Sequence, residues 1–113
     1  MDKIAHYRDV TERVLTEYAN FGAQNRQTGI ESLLAFDEEH DQYLWLKSGW
    51  TQKHRVHGMT LHVRLHQGKI WVEEDWTENG IAADFVNAGV PREDIVLAFC
   101  EPESREMTEF AAA

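Results

Sequence analysis

Four acids lying close together, Glu73, Glu74, Asp75 and Glu78, are the first residues of this chain whose types could do chemistry. Carboxylates that converge on one point can hold Mg²⁺ and cleave a phosphodiester. Such a site also wants a lysine, or a second carboxylate-bearing strand, aimed at the same point. Lys69 sits at the far end of the hairpin that carries these acids. Glu74 and Asp75 point to opposite faces if the strand runs through them. A small metal-dependent phosphodiesterase or nuclease built on Glu74, Asp75 and Glu78 is therefore the alternative reading, and the plainer one is structural. Negative charge where a helix begins stabilises it by about 0.3–1 kcal/mol with no functional demand. His62 and His66 share a strand face but lie about 13 Å apart, too far to ligate one metal. His54 and His57 fall on opposite faces of an extended chain. Cys100 is the single cysteine, so no intrachain disulfide exists, and Glu101 beside it disfavours a thiolate. No GxSxG, GxxxxGK or GxGxxG motif is present. No metal and no cofactor is expected.

The elements that must position these residues follow from hydrophobic period. Asp2 is placed to cap a first helix. Ile4, Tyr7, Val10, Val14, Leu15, Tyr18 and Phe21 form its apolar stripe, and Gly22 is expected to stop it. A polar loop is expected from Ala23 to Gly29. Leu33–Phe36 reads as a short strand, Asp37–Asp41 as a charged turn, and Tyr43–Trp50 as a second strand. Tyr43 and Trp45 lie on one face of it and Leu44, Leu46 and Trp50 on the other. A third strand runs from about Arg55 to His66, where apolar and polar residues alternate. Thr77 is expected to cap a second helix with Ile81, Phe85 and Ala88 on its inner face. Gly89 should end it, with Val90 folding back on Phe85. The run Ile95–Phe99 fits a strand or a buried helix end equally well. The tail from Glu101 carries little pattern. Phe110 is its candidate anchor, and the last three alanines are expected to be loose.

The third and fourth strands can be registered by counting. With Gln67 and Gly68 as turn residues, His66 faces Lys69, Leu65 faces Ile70, Arg64 faces Trp71, Val63 faces Val72 and His62 faces Glu73. Val63, Val72, Leu65 and Ile70 then form the core face. Arg64 meets the Trp71 ring and His62 meets Glu73 on the other. The expected fold is α+β: a four-stranded antiparallel meander, with an N-terminal helix and a second helix after the last strand, both packed on one face. The open face becomes a candidate partner interface. Its expected members are His62, Arg64, Trp71, Glu73 and Trp45, since tryptophan with arginine is the usual composition of a binding hot spot.

Composition bounds the rest. The 113 residues suit one domain, 1–113, with one modest core. Net charge is −9, from 20 acids and 11 bases. The densest basic segment is Lys53-His54-Arg55, so direct binding of duplex DNA is not expected. No apolar run approaches the ~20 residues that cross a bilayer. The opening MDKIAHYRDV lacks a signal's apolar core. A reducing cytoplasm is the expected compartment.

Several blocks resemble, in order, the XisI family, the fdxN-element excision controlling factors of cyanobacteria. They are DKIAHYRDVTERVLTEYA (Asp2 to Ala19), LLAFDEEHDQYLWLKSGW (Leu33 to Trp50), HRVHGMTLHVRLHQGKIWVEEDWTENGIA (His54 to Ala82) and VPREDIVLAF (Val90 to Phe99). The resemblance implies a non-catalytic regulatory subunit. Such proteins act with a companion, XisH, that resembles nucleases, and together they control a site-specific recombinase. It implies an XisH-like protein partner, with a homo-oligomer as a further possibility. It carries no catalytic motif.

Overall fold

The computed structural model describes residues 2–24 and 29–113, with the backbone alone at 22–24. Asp2 caps the first helix, α1 (Lys3–Gln24), by accepting the Ile4 amide at 3.0 Å. The helix does not stop at Gly22 but runs two residues further. The expected loop from Ala23 lies largely outside the described residues. The buried stripe of α1 is Tyr7, Val10, Thr11, Val14, Leu15 and Ala19. Phe21, assigned to that stripe by its spacing, is 67% exposed.

Five strands follow: β1 (Ile30–Asp37), β2 (Gln42–Thr51), β3 (His54–His66), β4 (Lys69–Asp75) and, after a helix, β5 (Ile95–Leu97). They lie in the order β1-β2-β3-β4-β5. The first four form the expected antiparallel meander. The fifth corrects the four-stranded reading: Ile95–Leu97 is a strand, and it pairs parallel to β4, so the sheet is mixed. Helix α2 (Ile81–Asn87) makes the crossover that a parallel connection requires. Its C-terminus is a Schellman motif. Gly89 takes a φ of 97°, its amide donates to the Val86 carbonyl, and the Val90 amide donates to Phe85.

Both helices cover the same face. Tyr43, Trp45, Leu61, Val63, Leu65, Ile70 and Val72 point into it and join Ile81, Phe85, Val90 and Ile95 in one buried cluster. Tyrosine–carboxylate bonds pin this layer at its rim. Tyr7 donates to Asp94, Tyr18 to Asp84, and Tyr43 to Asp41, which also takes Arg8 Nε at 2.7 Å. Burial first, then the carboxylate partner, pushes all three phenols well above their ordinary pKa.

The tail is more ordered than its sequence suggests. A helical turn α3 (Pro102–Arg105) is followed by Ala111, which bridges parallel to Val96 and donates its amide to Ile95 at 2.8 Å. The final alanines are thus tied to the sheet edge at Ala111, and Phe110 packs against the core.

Candidate functional site: the uncovered sheet face

The Gln67-Gly68 turn sets the site. Both residues take positive φ, 53° and 77°, as a two-residue hairpin of matching twist requires. From it the register runs as counted: His66 to Lys69, Leu65 to Ile70, Arg64 to Trp71 and Val63 to Val72. The fifth pair differs. The register shifts between His62 and Val63, so His62 faces Glu74 and Glu73 is the extra residue of a β-bulge. Freed from His62, the Glu73 carboxylate accepts Arg64 Nε at 2.8 Å. His62 Nε2 instead meets Gln42 Oε1 at 2.7 Å. Burial holds the His62 imidazole below its ordinary pKa, against the pull of Glu73.

Arg64, Trp71 and Glu73 therefore form one unit. The Arg64 guanidinium lies over the Trp71 ring at 5.4 Å while Glu73 fixes its Nε. A second guanidinium, that of Arg105, also lies over Trp71, at 5.7 Å. Arg105 is itself held by the Ala98 and Cys100 carbonyls, both at 3.1 Å. The tail thus reaches across this end of the face. Val96, the register partner of Trp71, is fully buried although it lies outside the helix-side cluster. Sequence reading missed Arg105 and the cover it provides. Its only trace was an arginine in a patternless tail, with nothing to say where that tail would fold.

Trp45 does not belong to this face. It pairs with Leu61, is 5% exposed, and stacks against Tyr18 at 6.1 Å under α1. Strand alternation put Trp45 with Tyr43. Leu44 and Leu46 on the opposite side are also apolar, so alternation alone did not say which face was core. Toward β1 the uncovered face carries Leu33, Leu46 and Met59 in one cross-strand row. Leu33 is 45% exposed.

Glu73, Glu74 and Asp75 of the acidic segment accept hydrogen bonds within the chain. Asp75 accepts the Thr77 amide at 2.9 Å and the Thr77 hydroxyl on one oxygen, and the Ile81 amide at 2.7 Å on the other. Asp75, not Thr77, thus satisfies the first turn of α2, whose capping position is Gly80. Glu74 accepts Trp76 Nε1 at 2.7 Å. Among the described residues, no three His, Cys, Asp or Glu side chains gather so as to hold a metal ion. A cleft of about 330 Å³ between α2 and the tail is lined by Ala83, Val86, Phe99 and Phe110, with Arg92 and Glu109 3.6 Å apart on its wall. Asp75, Asn79 and Asn87 add polar groups to its lining.

Together these features define a small α+β domain with one helix-covered face and one face bearing a braced arginine–tryptophan pair. The chain belongs to the XisI family, whose pattern it matches over residues 1–112. It is similar to a XisI-like protein from Anabaena variabilis ATCC 29413, with 32% identity and a TM-score of 0.90 over 96% of this chain and 98% of that one. It is also similar to the fdxN element excision controlling factor XisI from the same organism. Identity there is 40% and the TM-score 0.84, over 99% of this chain and 100% of that one. No curated protein matches the chain. Among the described residues, no helix is long and apolar enough to cross a membrane.

Proposed function

We propose that the protein is a non-catalytic regulatory subunit of the excision-controlling type. It acts in the cytoplasm with a nuclease-like companion resembling XisH, either to control a site-specific recombinase or to restrain that companion. The helix-free face around Arg64, Trp71 and Glu73, where Arg105 of the tail also lies over the indole, is the docking surface. The observation that carries this reading is the bracing of Arg64. A half-exposed arginine held by Glu73 over an indole has already lost much of its side-chain freedom. Such pre-organisation lowers the entropy cost of association. The family membership supports it, because one similar protein is named a controlling factor. The use of Asp75 as the acceptor of the Thr77 and Ile81 amides at the start of α2 supports the non-catalytic part.

The test is co-expression with an XisH-like protein, followed by purification and a nuclease assay with Mg²⁺ or Mn²⁺. The expected result is a stoichiometric complex, and no turnover by the subunit alone, either as the parent or with Glu74, Asp75 and Glu78 changed to amides. Metal-dependent cleavage by the parent that the triple variant loses would replace the regulatory reading with the enzymatic one. A self-associated chain that ignores the companion would replace it with a homo-oligomer.

A further inference from the structure

Charge is distributed unevenly along this chain. From Gln42 to Val72 there is no aspartate or glutamate, so all 20 acids lie outside that stretch. The same stretch carries five of the 11 lysines and arginines and four of the six histidines. It makes up β2, β3 and the start of β4. β4 pairs with β3 only as far back as Leu61. His54–Met59 is therefore paired to β2 on one side and, among the described residues, to no strand on the other. None of residues 46–60 is buried. This end of the sheet, where Ile30–Leu33 of β1 backs β2 and contributes one acid, Glu31, is thus a three-stranded arm, and its open edge runs about 20 Å at the usual rise per residue. At its tip Gln52 and Lys53 take positive φ, 45° and 70°, where asparagine and glycine are the easy choices. That turn sets a lysine at the end of the arm. Trp50 beside it is 58% exposed, with the Arg55 guanidinium 5.6 Å from its ring.

We propose that this edge receives an extended acidic segment of a partner protein, added to the sheet as a further strand. The unpaired backbone of His54–Met59 supplies main-chain hydrogen bonds, and Lys53, Arg55 and His57 answer the acidic side chains. Trp50 offers the apolar contact. A protein strand fits this edge better than a nucleic acid. It satisfies both the open N–H and the open C=O groups, whereas a phosphate backbone carries no N–H to answer the carbonyls. The chain's net charge of −9 also repels a long polyanion, while a short acidic segment feels chiefly the arm within a screening length of about 8–10 Å. This goes beyond the proposed docking through Arg64, which lies near the other end of β3.

The probe is a short capped peptide of alternating glutamate and valine, titrated into the nitrogen-15-labelled full chain. Amide shifts are expected at His54–Met59, with a shift of the Trp50 indole. A lysine-for-glutamate peptide, and one N-methylated along a single edge, should each bind at least ~10-fold more weakly. Arg55→Glu should weaken the acidic peptide by a similar factor and leave the melting temperature unchanged. Tighter binding of oligothymidylate or duplex DNA at the arm would make the surface a nucleic-acid site and overturn the proposal. So would an absence of shifts, shifts confined to other strands, equal binding of the N-methylated peptide, or dilution-sensitive signals that place a second copy on this edge.

Discussion

The inner and outer halves of β3 belong to one strand and yet do opposite work. From Leu61 to His66 the strand has neighbours on both sides and sends Leu61, Val63 and Leu65 into the core. From His54 to Met59 it has, among the described residues, one neighbouring strand, and none of its side chains is fully buried. The inner half is held by apolar burial and its register cannot slip without exposing that core. The outer half is held by its hairpin ladder alone. Core burial is thus confined to one end of a single element, and the effects of substitutions on stability should separate the same way.

The largest effect is expected in the inner half. Ile70→Ala removes a fully buried side chain from beneath the helices and should cost about 2–5 kcal/mol in chemical denaturation. Val56→Ala in the outer half should stay within about 0.5 kcal/mol of the parent. Comparable losses at both positions would erase the distinction. Next comes Asp75→Ala, which frees the Thr77 and Ile81 amides at the start of α2 and should cost about 1–2 kcal/mol by the same measurement. If the acids from Glu73 to Glu78 were a catalytic site instead, the change would remove activity and leave stability nearly untouched.

A gain is expected at Thr11, which is fully buried in α1 with its hydroxyl lacking a hydrogen-bond partner among the described residues. Thr11→Val should raise stability by about 1 kcal/mol. A pH dependence is also expected at the rim. Burial first, then Glu38 and Asp9 nearby, pushes the Glu12 carboxyl up to about 7. A carboxyl raised in the folded state favours folding most below its unfolded pKa. That contribution is lost as pH rises through the folded value. Stability should therefore fall between about pH 4.5 and 7, and Glu12→Gln should flatten that fall.

How much of this was legible depended on what each feature rests upon. The four register pairs nearest Gln67-Gly68 were readable because a two-residue turn fixes the count. The fifth was not, because a bulge at Glu73 adds one residue without any change in composition. The Schellman end of α2 was readable from Gly89 and Val90. The parallel β5 was not, since Ile95-Val96-Leu97 is apolar on both faces and carries no period. Trp45 was misplaced because both faces of β2 are apolar, and only the docking of α1 decides between them. The arm was legible as a run without acids. Reading the density of bases, and not the absence of acids, passed over it.

The central claim is that the braced Arg64 docks the companion. Isothermal titration of the companion into the parent and into Arg64→Ala tests it most directly, with melting curves of both proteins as the control. Loss of an anchor worth about 2 kcal/mol predicts binding weakened roughly 30-fold with the melting temperature held. Unchanged affinity, or an Arg64→Ala variant that melts early and binds as the parent does, would contradict it.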